Sequence, residues 1–183
     1  IEEPPAVRSI EDFYNRIEQA VSVQSFIYIQ TLGEVSYVNF KAPIKLYSIA
    51  SRSGLQKRVF LSGGIHGNEP AGAETLASFM ASLARNPAKF GPIAFDIVPL
   101  INPWGFSHDQ RFNGDGRDLN RDFASFKGQE SRILTSYLQG KRYDLMLDHH
   151  EDPNGKGFYM YQYAMPDQKL SRKIIEAIRA DGY

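Results

Sequence analysis

His66 and Glu69 stand three residues apart in the stretch Ser62-Gly63-Gly64-Ile65-His66-Gly67-Asn68-Glu69-Pro70-Ala71-Gly72, a glycine-rich turn between an apolar run and a helical one. A second imidazole pair, His149-His150, closes a later apolar run. Two histidines and one carboxylate make a three-donor zinc set with a fourth position open for water, which a catalytic site needs and a structural site avoids. His-x-x-Glu alone is a common pattern. Its bland reading is a hydrogen-bonded strand-end histidine beside an acid favoured by a helix N-terminus. The second histidine pair at the end of another strand gives the metal reading its weight. If the strand keeps its two-residue alternation, His149 and His150 cannot both face the site. His150 shares a face with Asp148 and Met146, and spacing alone leaves the choice open.

The segment Arg111-Phe112-Asn113-Gly114-Asp115-Gly116-Arg117-Asp118-Leu119-Asn120-Arg121-Asp122 is the other dense polar stretch. Asn113-Gly114 and Asp115-Gly116 are turn signals. Its plain reading is a solvated loop with balanced charges. Its functional reading is an anion pocket, because arginine forks grip a carboxylate at two points and asparagine adds a directional donor. An oxyanion beside a metal needs the same equipment.

Elements that would position these groups follow from periodicity. Ser9 caps a helix carrying Phe13, Ile17 and Val21. Phe26–Leu32 and Lys45–Ile49 alternate as strands, punctuated by Gly33-Glu34 and Ser53-Gly54. Val59-Phe60-Leu61 reads as a buried strand, Ala71–Arg85 as a helix and Ile93–Ile101 as a strand. Ser131–Leu138 is expected to be a helix, Tyr143–Asp148 and Phe158–Tyr163 strands, and Gln168–Ala180 a helix with Leu170, Ile174, Ile175 and Ile178 on one side. Alternating strands and helices imply an α/β domain with a mixed, largely parallel sheet flanked by helices. The polar clusters fall after the carboxyl ends of three strands, where such sheets bind ligands.

A chain of 183 residues suits one domain, and a domain this size buries roughly 70% of the surface its unfolded form exposes. Basic and acidic residues number 21 each, which argues against a nucleic-acid or anionic-membrane partner. With no cysteine, thiolate metal sites, disulfides and cysteine nucleophiles are excluded. No apolar run approaches the ~18 residues of a membrane helix. Compartment is weakly marked; the cytoplasm is the expectation.

Four segments in order resemble the zinc carboxypeptidase family. His66-Gly67-Asn68-Glu69 is similar to its His-x-x-Glu metal motif. Asn102-Pro103-Trp104-Gly105-Phe106 resembles its Asn-Pro-x-Gly-Phe. Asp118-Leu119-Asn120-Arg121-Asp122-Phe123 is similar to its Asn-Arg substrate motif, and Asp148-His149-His150 to its Asp-x-His. The likeness runs from about Val59 to Tyr163. It implies His66, Glu69 and His150 as ligands of one zinc ion per chain. It implies Asp118 as the carboxylate behind the first histidine, Arg111 as the catalytic group stabilising the oxyanion, and Asn120 and Arg121 as holders of the substrate carboxylate. The expected substrate is a peptide, or an N-acyl amino acid, with a free carboxylate.

The family's general base, a glutamate on a late strand, finds no match, nor does its tyrosine from a mobile loop. Glu151 follows the proposed ligand and Glu130 heads a helix, so neither is assigned as base. The expectation is therefore one zinc carboxypeptidase-like catalytic domain, residues 1–183, C-terminally incomplete. The leading activity is release of a C-terminal residue by zinc-activated water. The nearest alternative is an N-acyl amino-acid deacylase of the aspartoacylase/succinylglutamate desuccinylase type. That group shares the His-Gly-Asn-Glu and Asp-Leu-Asn-Arg motifs but tends to have alanine where Gly105 stands. A non-catalytic module that binds peptide C-termini is the third reading.

Overall fold

The computed structural model describes residues 4–51, 57–164 and 167–182. The expected Ser53-Gly54 turn lies outside them. Two compact units emerge, residues 1–151 and residues 152–183.

In the first unit, α1 (Ile10–Val21) starts where Ser9 accepts a hydrogen bond from the Asp12 amide at 3.0 Å. The strands are β1 (Ile27–Tyr37), β2 (Phe40–Ile49), β3 (Lys57–Gly63), β4 (Ile93–Val98) and β5 (Leu145–His149). They form one mixed sheet in the order β1-β2-β4-β3-β5. β1, β2 and β4 pair antiparallel, whereas β4 with β3 and β3 with β5 pair parallel. The carboxyl ends of β3, β4 and β5 therefore open at one edge of the sheet.

Helices α2 (Pro70–Arg85), α3 (Pro103–His108), α4 (Leu119–Asp122) and α5 (Gln129–Leu138) complete this unit. Strand alternation sends side chains to two cores. Val59, Leu61, Phe95 and Ile97 pack with Phe13 and Ile17 of α1 and Leu76 and Met80 of α2. Phe60, Val98, Ile44 and Leu46 pack on the opposite face with Leu119 and Leu134.

Three sequence expectations need correction. Gly33-Glu34 does not end β1; the ladder with β2 shifts register between Thr31 and Gly33 and continues to Tyr37. A β-carbon on Gly33 would lie 2.9 Å from Ile133, so the glycine serves the packing of α5 on the sheet. The long apolar run from Ile93 is a strand only to Val98. It gives way to α3, capped by Asn102, which accepts from the Gly105 amide at 2.8 Å. Phe158–Tyr163, in the second unit, has no strand structure. Alternating aromatics suit a pleated surface only where a neighbouring strand supplies the ladder, and no strand pairs with this segment among the described residues. The second unit holds one helix, α6 (Lys169–Ala180). Among the described residues, no helix is long and apolar enough to cross a membrane.

Candidate metal centre

The turn after β3 is shaped by close backbone approach. Gly64 has φ 61°, a left-handed conformation that favours glycine. A β-carbon on Gly67 would stand 1.8 Å from the Gly105 carbonyl carbon. The backbones of the His66 turn and of α3 thus lie against each other with no room for a side chain. His66 is buried at 2% exposure on this turn. Pro70 follows as the first residue of α2.

Glu69 occupies the cap position of α2, yet its carboxylate makes no capping bond. It turns towards the histidines. His66 Nδ1 lies 2.8 Å from Oε1, and His150 Nδ1 lies 2.8 Å from Oε2. The Glu151 amide donates to the same Oε2 at 3.3 Å. In exchange, the Glu151 carboxylate accepts the exposed Ala71 amide in the first turn of α2 at 3.1 Å.

Each imidazole is held from behind. His66 Nε2 stands 3.1 Å from Asp118 Oδ1, and His150 Nε2 stands 3.0 Å from Asp148 Oδ2. Ser62 donates to the other Asp148 oxygen at 2.7 Å, across a directly paired position of β3 and β5. A carboxylate on the far nitrogen favours a proton there, so that Nδ1 is the atom each ring would offer to a metal. Both Nδ1 atoms face Glu69, and one donor atom from each of His66, Glu69 and His150 lies within 4.8 Å of the others. Donor chemistry and orientation fit a divalent metal with an open position. His149 points elsewhere: its Nδ1 lies 2.9 Å from the Ser62 carbonyl oxygen.

Arg111 bridges the two halves of the cluster. Its Nη1 reaches Glu69 Oε1 at 3.1 Å, and its Nη2 and Nε reach Asp118 Oδ2 at 3.2 and 3.3 Å. Burial pushes the Asp118 carboxyl up, but the His66 hydrogen bond and the charges of His66 and Arg111 outweigh it and hold the group below its ordinary range. Hydrogen bonding to Asp148 raises the His150 imidazole to about 9, against the opposing effect of burial and with help from Glu69. Asp118 also caps α4 by accepting the Asn120 amide at 3.0 Å. Asn120 and Arg121 stand exposed on that short helix, immediately after the residue that holds His66.

The structure thus brings together His66, Glu69, His150, Asp118 and Arg111, and sets Asn120 and Arg121 beside them in the chain. Ser62, Asp148 and Glu151 were given no part by sequence reasoning. The spacing of Asp148 and His150 on one strand face was the available sign for Asp148. Nothing local marks Glu151 as the cap of a helix that begins eighty residues earlier.

Fold and donor set are those of the zinc carboxypeptidase-like class. The model of the succinylglutamate desuccinylase/aspartoacylase catalytic domain matches residues 55–182, and the chain belongs to that family. Among curated proteins it is similar to carboxypeptidase 2 of Trichophyton tonsurans, 32% identical over 123 residues, which is 62% of this chain and 23% of the fungal protein. Among solved structures it shares the fold of a metallo-carboxypeptidase from Burkholderia cenocepacia, with TM-score 0.68 and 22% identity over 79% of this chain and 41% of that one. A Pseudomonas aeruginosa metallo-carboxypeptidase in complex with (2-guanidinoethylmercapto)succinic acid is similar with TM-score 0.66 and 21% identity, over 79% of this chain and 40% of that chain. The chain therefore spans less than half the length of these relatives.

Proposed function

We propose that this chain carries the metal centre of a zinc metallocarboxypeptidase, with His66, Glu69 and His150 as ligands. The observation that supports it is the arrangement of the two imidazoles, each with Nδ1 towards Glu69 and Nε2 against an aspartate. A zinc ion held there supplies a Lewis acid and a water acidified towards pKa ~7.

The chain's own groups then have distinct tasks. Asp118 and Asp148 hold the ligands in their donor tautomers. Arg111, already against Glu69 and Asp118, offers its guanidinium to the oxygen on which charge develops. Asn120 and Arg121 take the substrate's terminal carboxylate. No residue is assigned as general base: the Glu151 carboxylate is engaged with Ala71, and Glu130 makes its bonds to Tyr37 and Asn113.

The peptidase is favoured over the deacylase by Gly105. It belongs to the Asn102-Pro103-Trp104-Gly105-Phe106 segment that resembles the peptidase motif, and it is closely packed: a β-carbon would meet Asn102 Nδ2 at 2.4 Å and the Gln110 carbonyl oxygen at 2.7 Å. The similarity to fungal carboxypeptidase 2 agrees. The match to the desuccinylase/aspartoacylase domain keeps the deacylase as the second reading. The test is a panel of short peptides beside a panel of N-acyl amino acids, given to the zinc-reconstituted protein. Release of C-terminal residues supports the proposal. Release of acyl groups alone selects the deacylase. Zinc and carboxylate binding with neither activity selects the binding module.

A further inference from the structure

Glu130 is a fully buried carboxylate that the metal centre does not use. It accepts the Tyr37 hydroxyl at 2.6 Å on one oxygen and the Asn113 amide at 2.9 Å on the other. The Asn113 Nδ2 also donates to the Tyr37 hydroxyl at 3.0 Å, closing a triangle. Among the described residues no cation pairs with Glu130. An apolar side chain would fill such a place at less desolvation cost. What a carboxylate offers instead is direction, because a satisfied buried network holds its members in one orientation.

The orientation it holds is that of the loop between α3 and α4. Asn113 is 1% exposed. Its Oδ1 accepts the amides of Asp115 at 3.1 Å and Arg117 at 2.9 Å. Its backbone amide donates to the Arg117 carbonyl at 3.0 Å, and its carbonyl accepts the Gly116 amide at 2.8 Å. The turn from residue 113 to residue 117 is thus wound around this one side chain. Arg111 lies just before the turn and Asp118 just after it. The Tyr37 ring seals the turn from outside, since a β-carbon on Gly114 would lie 2.5 Å from it.

We infer that Tyr37, Asn113 and Glu130 form a brace that positions Arg111 and Asp118 at the metal centre. The brace joins the end of β1, the start of α5 and the loop between α3 and α4. The tasks of Arg111 and Asp118 rest on the metal-hydrolase reading; the brace itself does not.

Tyr37→Phe tests it, because phenylalanine keeps the ring against Gly114 and Trp104 and removes only the hydroxyl. In the metal-free full chain, hydrogen exchange at the Asp115 and Arg117 amides is expected to rise about tenfold, while the β3 amides of Phe60 and Leu61 keep their protection. The Arg111 Nε–H resonance, fixed in the parent by its bond to Asp118, is expected to move to the solvent-exposed position. In a competition titration zinc affinity is expected to fall about tenfold, as it does when a ligand's carboxylate support is loosened. A variant with a lower melting temperature but unchanged loop exchange and Arg111 resonance has lost only stability, and the inference is overturned. Faster exchange with unchanged zinc affinity in a zinc-binding parent overturns it too. A parent that takes up no zinc ends the metal reading, and the two metal-free measurements then decide the brace. Should Tyr37→Phe not fold, the same measurements on Glu130→Gln apply.

Discussion

Asp148 Oδ2 lies 3.0 Å from His150 Nε2, and the same carboxylate takes the Ser62 hydroxyl on its other oxygen at 2.7 Å. The second histidine therefore has a support of its own, built from two neighbouring strands, where the first has Asp118 from a loop. Asp148→Ala is expected to weaken zinc binding about 10- to 100-fold. Ser62→Ala, which leaves the carboxylate in place, should cost less. A competition titration with a chromophoric chelator measures both, and equal affinity in parent and Asp148→Ala would remove the aspartate from the site.

Loss of a ligand is a different matter from loss of its support. His66→Ala and His150→Ala are each expected to bring the zinc content of the reconstituted protein from about one per chain to near zero. The far-ultraviolet circular dichroism should remain that of the parent, because the two apolar cores are built from other side chains. Full zinc content in either variant would sink the ligand set.

Arg111 and Arg121 should separate in their effects. Arg121→Ala is expected to raise KM for a peptide substrate about tenfold or more with a smaller change in kcat, as loss of a carboxylate contact does. Arg111→Ala should lower kcat by about 100-fold, the scale of a removed oxyanion donor. Steady-state kinetics with one good peptide distinguishes these outcomes from a common loss in both.

Asp122 makes a prediction about acid. Burial pushes its carboxyl up, yet bonds from Ser131, the Gly128 and Lys127 amides and Ser125 outweigh that and hold it well below the ordinary carboxylate range. A group with a depressed folded pKa stabilises fully above its unfolded value of ~3.9 and loses that contribution as pH falls through that value towards the folded one. The parent should therefore lose stability below about pH 4 more steeply than Asp122→Asn. At neutral pH the variant should be about 1–3 kcal/mol less stable, because two of the four donors then face an amide NH2 in place of an acceptor oxygen. Urea melts at pH 7 and pH 3.5 supply the comparison.

Gly105→Ala tests the close packing of α3 on its own cap, where Asn102 and the Gln110 carbonyl surround the glycine. Overfilling a close-packed contact costs about 1–3 kcal/mol, and the added carbon has backbone and Asn102 on its sides. Thermal melts that show no loss would mean the contact yields easily and that the glycine is not needed for packing.

The helices were legible where apolar spacing and capping coincided, as at Ser9 for α1. The strand ends were not: Ile93–Ile101 is apolar but for Asp96, and the strand has already stopped at Val98, ahead of the Asn102 cap. Gly33 misled because a glycine in a strand can mark a turn or a tight contact, and the sequence does not name the Ile133 side chain across from it. The meeting of His66, Glu69 and His150 was foreseeable from strand ends and motifs. The ties through Ser62, Asp148 and Glu151 were not assigned, because each joins chain segments some eighty residues apart. Asn113 read as a turn residue and is one, but its burial against Glu130 is a tertiary fact.

Glu69 and Glu151 have changed places. The glutamate at the mouth of α2 serves the end of β5, and the glutamate after β5 serves the mouth of α2. Strand and helix are thereby laced together by crossed side chains. Parting the end of β5 from the mouth of α2 would break both the His150–Glu69 and the Glu151–Ala71 contacts. The end of β5 and the mouth of α2 are thus held in register by contacts the protein makes itself.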